Sequence, residues 1–236
     1  MPLPYTGAHG ELNFEADFIA LLQQSGWEKK VLKNCTALDL IANWRQILFE
    51  RNRAVLHGVP LSDDEMQRVL DSLRQYADTP VKANHFLNSA ERGLAVRRDR
   101  DSKDTAHAGK EVYLNLFRAR EIAGGSSRYQ IAEQTKFVST NPNYPDRRGD
   151  ITLLIDGIPV IQIELKASGV DVFEAATQIQ KYTKENIFKG FMGLVQVFWA
   201  ISPEDALYFA NPGSQDRFNP AFFFHWGDRD NHIIRD

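Results

Sequence analysis

Asp150–Lys166, DITLLIDGIPVIQIELK, is the stretch whose reading decides the fold. Two β-rich apolar runs flank Asp156-Gly157, and D-G between such runs is the short-range signal for a tight hairpin. Side chains alternate along a strand, so Glu164 and Lys166 share one face of the second run while Ile161, Ile163 and Leu165 take the other. Once the hairpin closes, Asp150, which opens the first run, returns beside Glu164. Two carboxylates and an ammonium at one strand edge suit a hard divalent cation and a water nucleophile, the chemistry of phosphodiester hydrolysis.

Outward from the hairpin, the second half reads as strands over 111–117, 128–138, 150–155, 158–166, 192–201, 205–210 and 221–226, with one helix at 171–189. A helix between 158–166 and 192–201 predicts a parallel pair joined by a helical crossover. Upstream, helices are predicted at 11–25, closed by Gly26, at 36–56, at 62–77 behind the Ser62…Glu65 capping pattern, and at 80–91. The polar segment 97–109 reads as an exposed loop, and Gly124-Gly125-Ser126 as a turn. The fold class is therefore α/β: a mixed central sheet flanked by helices, with a helical N-terminal part at about 11–91 and the sheet at about 111–226. No linker divides 1–236, which reads as a single domain.

Composition excludes several classes. No window approaches the roughly 18 apolar residues of a membrane span, and the N-terminus lacks the order of a secretory signal. Cys35 is the only cysteine, so an internal disulfide is impossible and a reducing cytoplasm fits. The six histidines form no H-E-x-x-H or H-x-H pair, which removes a zinc hydrolase of those kinds. No G-x-S-x-G elbow is present for serine hydrolysis. The net charge of −3 does not advertise a nucleic-acid binder. What matters is local clustering: Arg97-Arg98, Arg100, Lys103, Arg128, Lys136, Arg147-Arg148, Lys181 and Lys184 flank the hairpin in sequence on both sides, and Arg147, Arg148, Lys181 and Lys184 are the candidates for contacts to DNA, with solvated surface charge as the alternative.

Acid-x-lysine alone is uninformative, since Glu28-Lys29-Lys30 matches it equally. What distinguishes Glu164-Leu165-Lys166 is its place at the end of an apolar strand, where uncompensated charge is costly, and the second acid at Asp150. A structural Glu–Lys pair is the competing interpretation. In the catalytic one, Asp150 and Glu164 ligate Mg²⁺ and Lys166 holds the water and a phosphate oxygen. Gln162 shares that strand face and either meets the outer shell of the metal or hydrogen-bonds within the sheet. Gln178 and Tyr182, four apart, share a helix face and can bond a DNA phosphate or orient Lys166; ordinary amphipathic packing of Tyr182 is the alternative. Glu15, between Phe14 and Phe18, either reaches the metal shell or is a surface glutamate.

Asp150, Glu164-x-Lys166 and Gln178-x-x-x-Tyr182, in this order, resemble the PD-(D/E)xK nuclease superfamily in its branch with a Q-x-x-x-Y element. The likeness extends to FEADFIALLQQSGW (14–27), ILFERNR (47–53), GVPLS (58–62), IAEQTKFV (131–138), NPNYPDRRGD leading into the hairpin, and FFFHWGD (222–228). Together these resemble the N-terminal domain of type I restriction endonuclease R subunits (HsdR). That resemblance implies a Mg²⁺-dependent endonuclease, with Mn²⁺ as a substitute, that cuts double-stranded DNA after an attached ATP-driven motor has translocated it. It implies metal binding by Asp150 and Glu164, catalysis by Lys166 and support from Gln178 and Tyr182, with Glu15 in the extended motif. Modification and specificity subunits are the implied partners, in a bacterial or archaeal cytoplasm. Two departures stand out. Arg148-Gly149 precedes Asp150 where the family carries a proline-led acid, and no G-x-x-x-x-G-K-[ST] loop is present, so ATP hydrolysis is expected only in a longer chain. A non-catalytic DNA-docking or subunit-interface module on the same fold is the competing functional reading.

Overall fold

The computed structural model describes residues 5–6, 9–88, 93–116, 127–139, 141–227 and 229–230. Its centre is the predicted hairpin. Strand β5 (Arg147–Ile155) pairs antiparallel with β6 (Ile158–Leu165), with Ile155 opposite Ile158 across the two-residue turn. Asp156 and Gly157 both take positive φ, 51° and 82°, as a type I′ turn requires. Glycine is needed at 157 for space as well, because a Cβ there would lie 3.0 Å from the Trp44 Cα. Asp156 is fully buried and locks the turn: its Oδ1 meets Arg51 at 2.6 Å and accepts from the Arg128 amide at 3.0 Å.

The hairpin sits in a seven-stranded mixed sheet. On one side β5 pairs antiparallel with β4 (Tyr129–Phe137), which pairs parallel with β1 (Val31–Lys33). On the other, β6 pairs parallel with β7 (Val197–Ile201), followed by antiparallel β8 (Ala206–Ala210) and β9 (Phe224–His225). The crossover from β6 to β7 carries a helix, Val172–Lys184, capped by the Asp171 side chain on the Phe173 amide.

Helices cover both faces of the sheet. Helix α1 (Gly10–Gln24) lays Ile19 and Leu22, with Phe14 and Phe18, over Ile131, Ile151, Leu153, Ile163 and Leu165. The larger core lies opposite. It gathers α2 (Ala37–Arg51), α3 (Asp63–Tyr76), α4 (Pro80–Asn88) and the crossover helix, α5, around Trp44, Leu154, Ile179 and Phe198. Capping boxes at Thr36/Asp39 and Ser62/Glu65 start α2 and α3, each side chain accepting from a helix amide that would otherwise lack a partner. No described helix is long and apolar enough to cross a membrane.

Several element boundaries differ from expectation. Helix α2 stops at Arg51, where the buried Asn52 side chain turns to the Leu48 and Asn115 carbonyls. The helix predicted to reach 189 stops at Lys184, with Asn186 at φ 61°, and Gly190–Leu194 is a 3₁₀ turn, so β7 begins only at Val197. The strand expected at 221–226 keeps only β9, behind a 3₁₀ turn at Pro220–Phe222. The three-residue β1 is too short for periodicity to reveal. Residues 98–109 form the expected loop, most of it exposed or half-buried, but with local exceptions. Arg97 ends a strand, β2 (Leu94–Arg97), paired antiparallel with β3 (Glu111–Leu114) in a separate two-stranded sheet, and Arg98 and Asp104 are buried. Their polarity suggested exposure, but each has charged partners; Arg98 meets Glu65 at 3.2 Å. Residues 89–91 and 117, and the Gly124-Gly125-Ser126 turn, lie outside the described residues.

Candidate active site

The edge where β5 and β6 meet α5 collects the acids and amides singled out above. Asp150 is the fourth residue of β5 rather than its first, because the strand begins at Arg147. Its Oδ2 accepts from the Leu165 amide at 2.7 Å, which ties it to the segment carrying Glu164 and Lys166. Glu164 is fully buried at the end of β6. One residue past the strand, Lys166 is anchored through its amide to the Ile201 carbonyl at 2.9 Å.

Gln178 joins these groups. Its Oε1 accepts from Lys166 Nζ at 2.8 Å, while its Nε2 donates to Glu164 Oε2 at 2.6 Å. The same Nε2 lies 2.6 Å from the hydroxyl of Tyr182, one turn along α5, and that hydroxyl donates to the Arg148 carbonyl at 2.8 Å. Glu164 and Lys166 do therefore share a face, held at fixed separation by one amide. Gln162 is hydrogen-bonded within the sheet: Nε2 donates to Glu164 Oε1 at 3.1 Å and Oε1 accepts from Thr152 at 2.7 Å.

Glu15 is not a surface residue. It is 4% exposed, accepts from the Gln134 side chain through Oε2, and has no hydrogen-bond partner for its buried Oε1. Gln134 was not anticipated by sequence; it holds a left-handed φ of 57° within β4. Among the described residues, Glu15, Asp150 and Glu164 are not drawn into a three-ligand cluster as tight as 4.8 Å. Gly149 supplies space instead: a Cβ there would lie 2.5 Å from Gln162 Nε2 and 3.1 Å from Glu164 Oε1.

The electrostatics describe acids short of positive charge. Burial, with the Leu165 amide opposing it, lifts the Asp150 carboxyl to about 6. Burial and the neighbouring Asp150 push Glu164 well above the carboxylate range. Glu15 rises to about 7, again through burial, with Gln134 opposing and Asp150 adding to the rise. The Tyr182 phenol is raised by burial and by Glu164, so it stays a neutral donor.

The basic candidates divide. Arg148, Lys181 and Lys184 are exposed, but Arg147 makes a paired contact with Glu185, both bonds 2.7 Å. Arg147, Lys181 and Gln178 line a cleft of about 410 Å³ that also touches Glu174, Thr177 and Tyr182.

A family profile described as the type I restriction enzyme R protein N terminus matches residues 14–217, spanning the α1 glutamate, the hairpin and α5. The chain belongs to that family. Its relatives include the type I restriction enzyme SsaAORF53P endonuclease subunit of Staphylococcus saprophyticus, 31% identical over 227 residues. The alignment covers 95% of this chain and 22% of that subunit. The SauMSSORF170P endonuclease subunit of Staphylococcus aureus is likewise 31% identical, with the same coverage. The EcoprrI endonuclease subunit of Escherichia coli is 35% identical over 112 residues, 47% of this chain and 34% of the subunit. This R-subunit N-terminal chain thus spans about a fifth of the length of its staphylococcal relatives.

Proposed function

We propose that the chain is the single-domain nuclease portion of a type I restriction R subunit, hydrolysing phosphodiester bonds of double-stranded DNA. The observation that carries this reading is the Lys166–Gln178–Glu164 relay beside Asp150, all of it closed by side-chain hydrogen bonds of 2.6–2.8 Å. A structural Glu–Lys pair would bring the two charges into direct contact. Here an amide spaces them instead, leaving the ammonium available to a third group.

The donor set fits a hard divalent cation. All nearby ligand atoms are oxygens, the carboxyls are raised by burial, Glu164 also by the Asp150 charge, and Glu15 keeps a buried oxygen without a partner. Asp150 and Glu164 would hold Mg²⁺, or Mn²⁺ in its place, with Glu15 facing the same region. When bound, such an ion neutralises charge on the scissile phosphate and acidifies water. The residues do the rest. Lys166 presents a fixed positive charge to a phosphate oxygen. Gln178 sets the direction of that charge, and Tyr182 fixes Gln178 by tying it to β5. Arg148, Lys181 and Lys184 line the approach as contacts for the DNA backbone; Arg147 shapes the cleft wall while paired with Glu185.

In the longer subunit, cleavage would follow ATP-driven translocation by motor domains beyond this chain, in assembly with modification and specificity subunits in the cytoplasm. Anomalous diffraction from Mn²⁺-soaked crystals tests the metal site, with a peak expected between Asp150 and Glu164. In the longer subunit, Glu164→Ala or Lys166→Ala should abolish DNA cleavage and spare ATP hydrolysis. Normal cutting by either variant would defeat the assignment.

A further inference from the structure

Far along the chain from the nuclease hairpin, two loops bring together a second set of ligand-type side chains. His57 lies in the turns that follow α2, and Asp104 and His107 lie in the connection between β2 and β3. The Asp104 carboxylate stands between the two rings, Oδ1 3.0 Å from His57 Nδ1 and Oδ2 2.8 Å from His107 Nδ1. Among the described residues, this is the one group of three His, Cys, Asp or Glu residues whose ligand atoms all fall within 4.8 Å of one another.

We propose that His57, Asp104 and His107 bind a first-row transition-metal ion of the zinc class, which clamps the α2–α3 connection to the β2–β3 loop.

Three features of the geometry support a metal over a simple ion triad. The imidazole rings stack with centroids 4.4 Å apart and planes 22° from parallel. That stacking brings both Nδ1 atoms to the one carboxylate, so a single ion can meet two imidazole nitrogens and a carboxylate oxygen, the ligand types of a zinc site. Ligands about 2.0–2.1 Å from a tetrahedral zinc lie about 3.3 Å from each other, so small ring movements from the observed separations admit the ion. The exposure is also graded: the Asp104 side chain is 2% exposed, His107 28% and His57 50%. A buried anionic anchor with half-open imidazoles gives three protein ligands and a solvent-facing fourth position.

The backbone is built to present this set. His57 holds φ at 47°, a left-handed conformation unusual for a residue with a side chain, and Gly58 follows at 73°. Opposite it, Ser102 Oγ accepts from Arg98 at 3.1 Å and from the Asp104 amide at 3.2 Å, and Arg98 reaches across to the Val59 carbonyl at 3.2 Å. Both loops are thus fixed before any ion arrives. Two nitrogens and one carboxylate select zinc, cobalt or nickel over magnesium, which prefers oxygen throughout. The two metal sites are therefore separable by chemistry.

Zinc titration of the protein carrying Asp150→Asn and Glu164→Gln, which silences the carboxylate site, tests the proposal. One Zn²⁺ per chain is expected, and Co²⁺ in its place should give the visible absorption of a tetrahedral site. Zinc at about a hundredfold over its Kd should raise Tm by about 5–10 °C, while equimolar Mg²⁺ should not. His107→Gln should weaken zinc binding at least about tenfold. If that variant does not fold, His57→Gln, at the more exposed ligand, reads the same loss. No zinc binding, or binding and cobalt spectra unchanged by either glutamine, would overturn the proposal and leave a carboxylate bridged by two imidazoles.

Discussion

Asp150 is 8% exposed and its carboxyl is raised by burial from an ordinary 3.8 to about 6. Between those values the folded protein keeps a proton that the unfolded chain has released. Stability therefore falls as pH climbs through the window from about 4 to 6, and the full penalty stands above it. Roughly two units at about 1.4 kcal/mol each make ~3 kcal/mol. Asparagine at 150 removes the charge yet keeps an oxygen for the Leu165 amide, 2.7 Å away. Exchanging a charge-assisted bond for a neutral one costs about 1 kcal/mol. Asp150→Asn should then stabilise the cation-free protein by ~2 kcal/mol at pH 8, a Tm rise of about 4–8 °C, and confer no gain near pH 4. Thermal melts in EDTA at pH 4, 6 and 8 measure this directly. Saturating Mg²⁺ should raise the wild-type Tm at pH 8 and leave the variant unmoved. An equal effect of the substitution at every pH, or a less stable variant at pH 8, would refute the picture of a buried carboxylate awaiting a cation.

Other substitutions separate roles within the site. Gly149→Ala places a methyl 2.5 Å from Gln162 Nε2 and 2.8 Å from Phe137 Cε2, and urea unfolding should show a loss of about 1–3 kcal/mol. Gln178→Ala frees Lys166 and Glu164 from their shared amide; cleavage by the longer subunit should fall about a hundredfold with Tm nearly kept, and a large drop in Tm would instead mark a packing role. Arg147→Ala strands the nearly buried Glu185 and should cost about 1–3 kcal/mol of stability in a thermal melt. Arg148→Ala should spare stability and lower the salt dependence of DNA binding by a slope of about 1; an unchanged slope would remove Arg148 from the DNA contacts.

What sequence revealed here tracks how local the physics is. The hairpin was legible because a type I′ turn is specified by two adjacent residues, and Asp156-Gly157 supplies both positive-φ positions. The parallel β6–β7 pair followed from one intervening helix. Boundaries failed where long-range partners decide them: Asn52 ends α2 by bonding to Asn115, sixty-three residues away. Within the 97–109 loop, the burial of Arg98 and Asp104 escaped for the same reason: Glu65 and His57, which pair with them, lie in other elements.

The site shows the same division more sharply. Glu164 and Lys166 could be placed on one face by strand alternation, and Gln178 with Tyr182 by helical spacing, but nothing local says that Gln178 Nε2 and Oε1 face the acid and the lysine respectively. Gln134 gave no signal at all, since its role is to hold Glu15, 119 positions away. The histidines make the general point. Motif spacing finds metal ligands only when one helix or loop carries them, as in H-E-x-x-H. His57 and His107 belong to separate loops, joined through a carboxylate that composition assigned to solvent. A buried aspartate with an imidazole on each oxygen is a feature of tertiary structure, and it emerges only once both loops are in place.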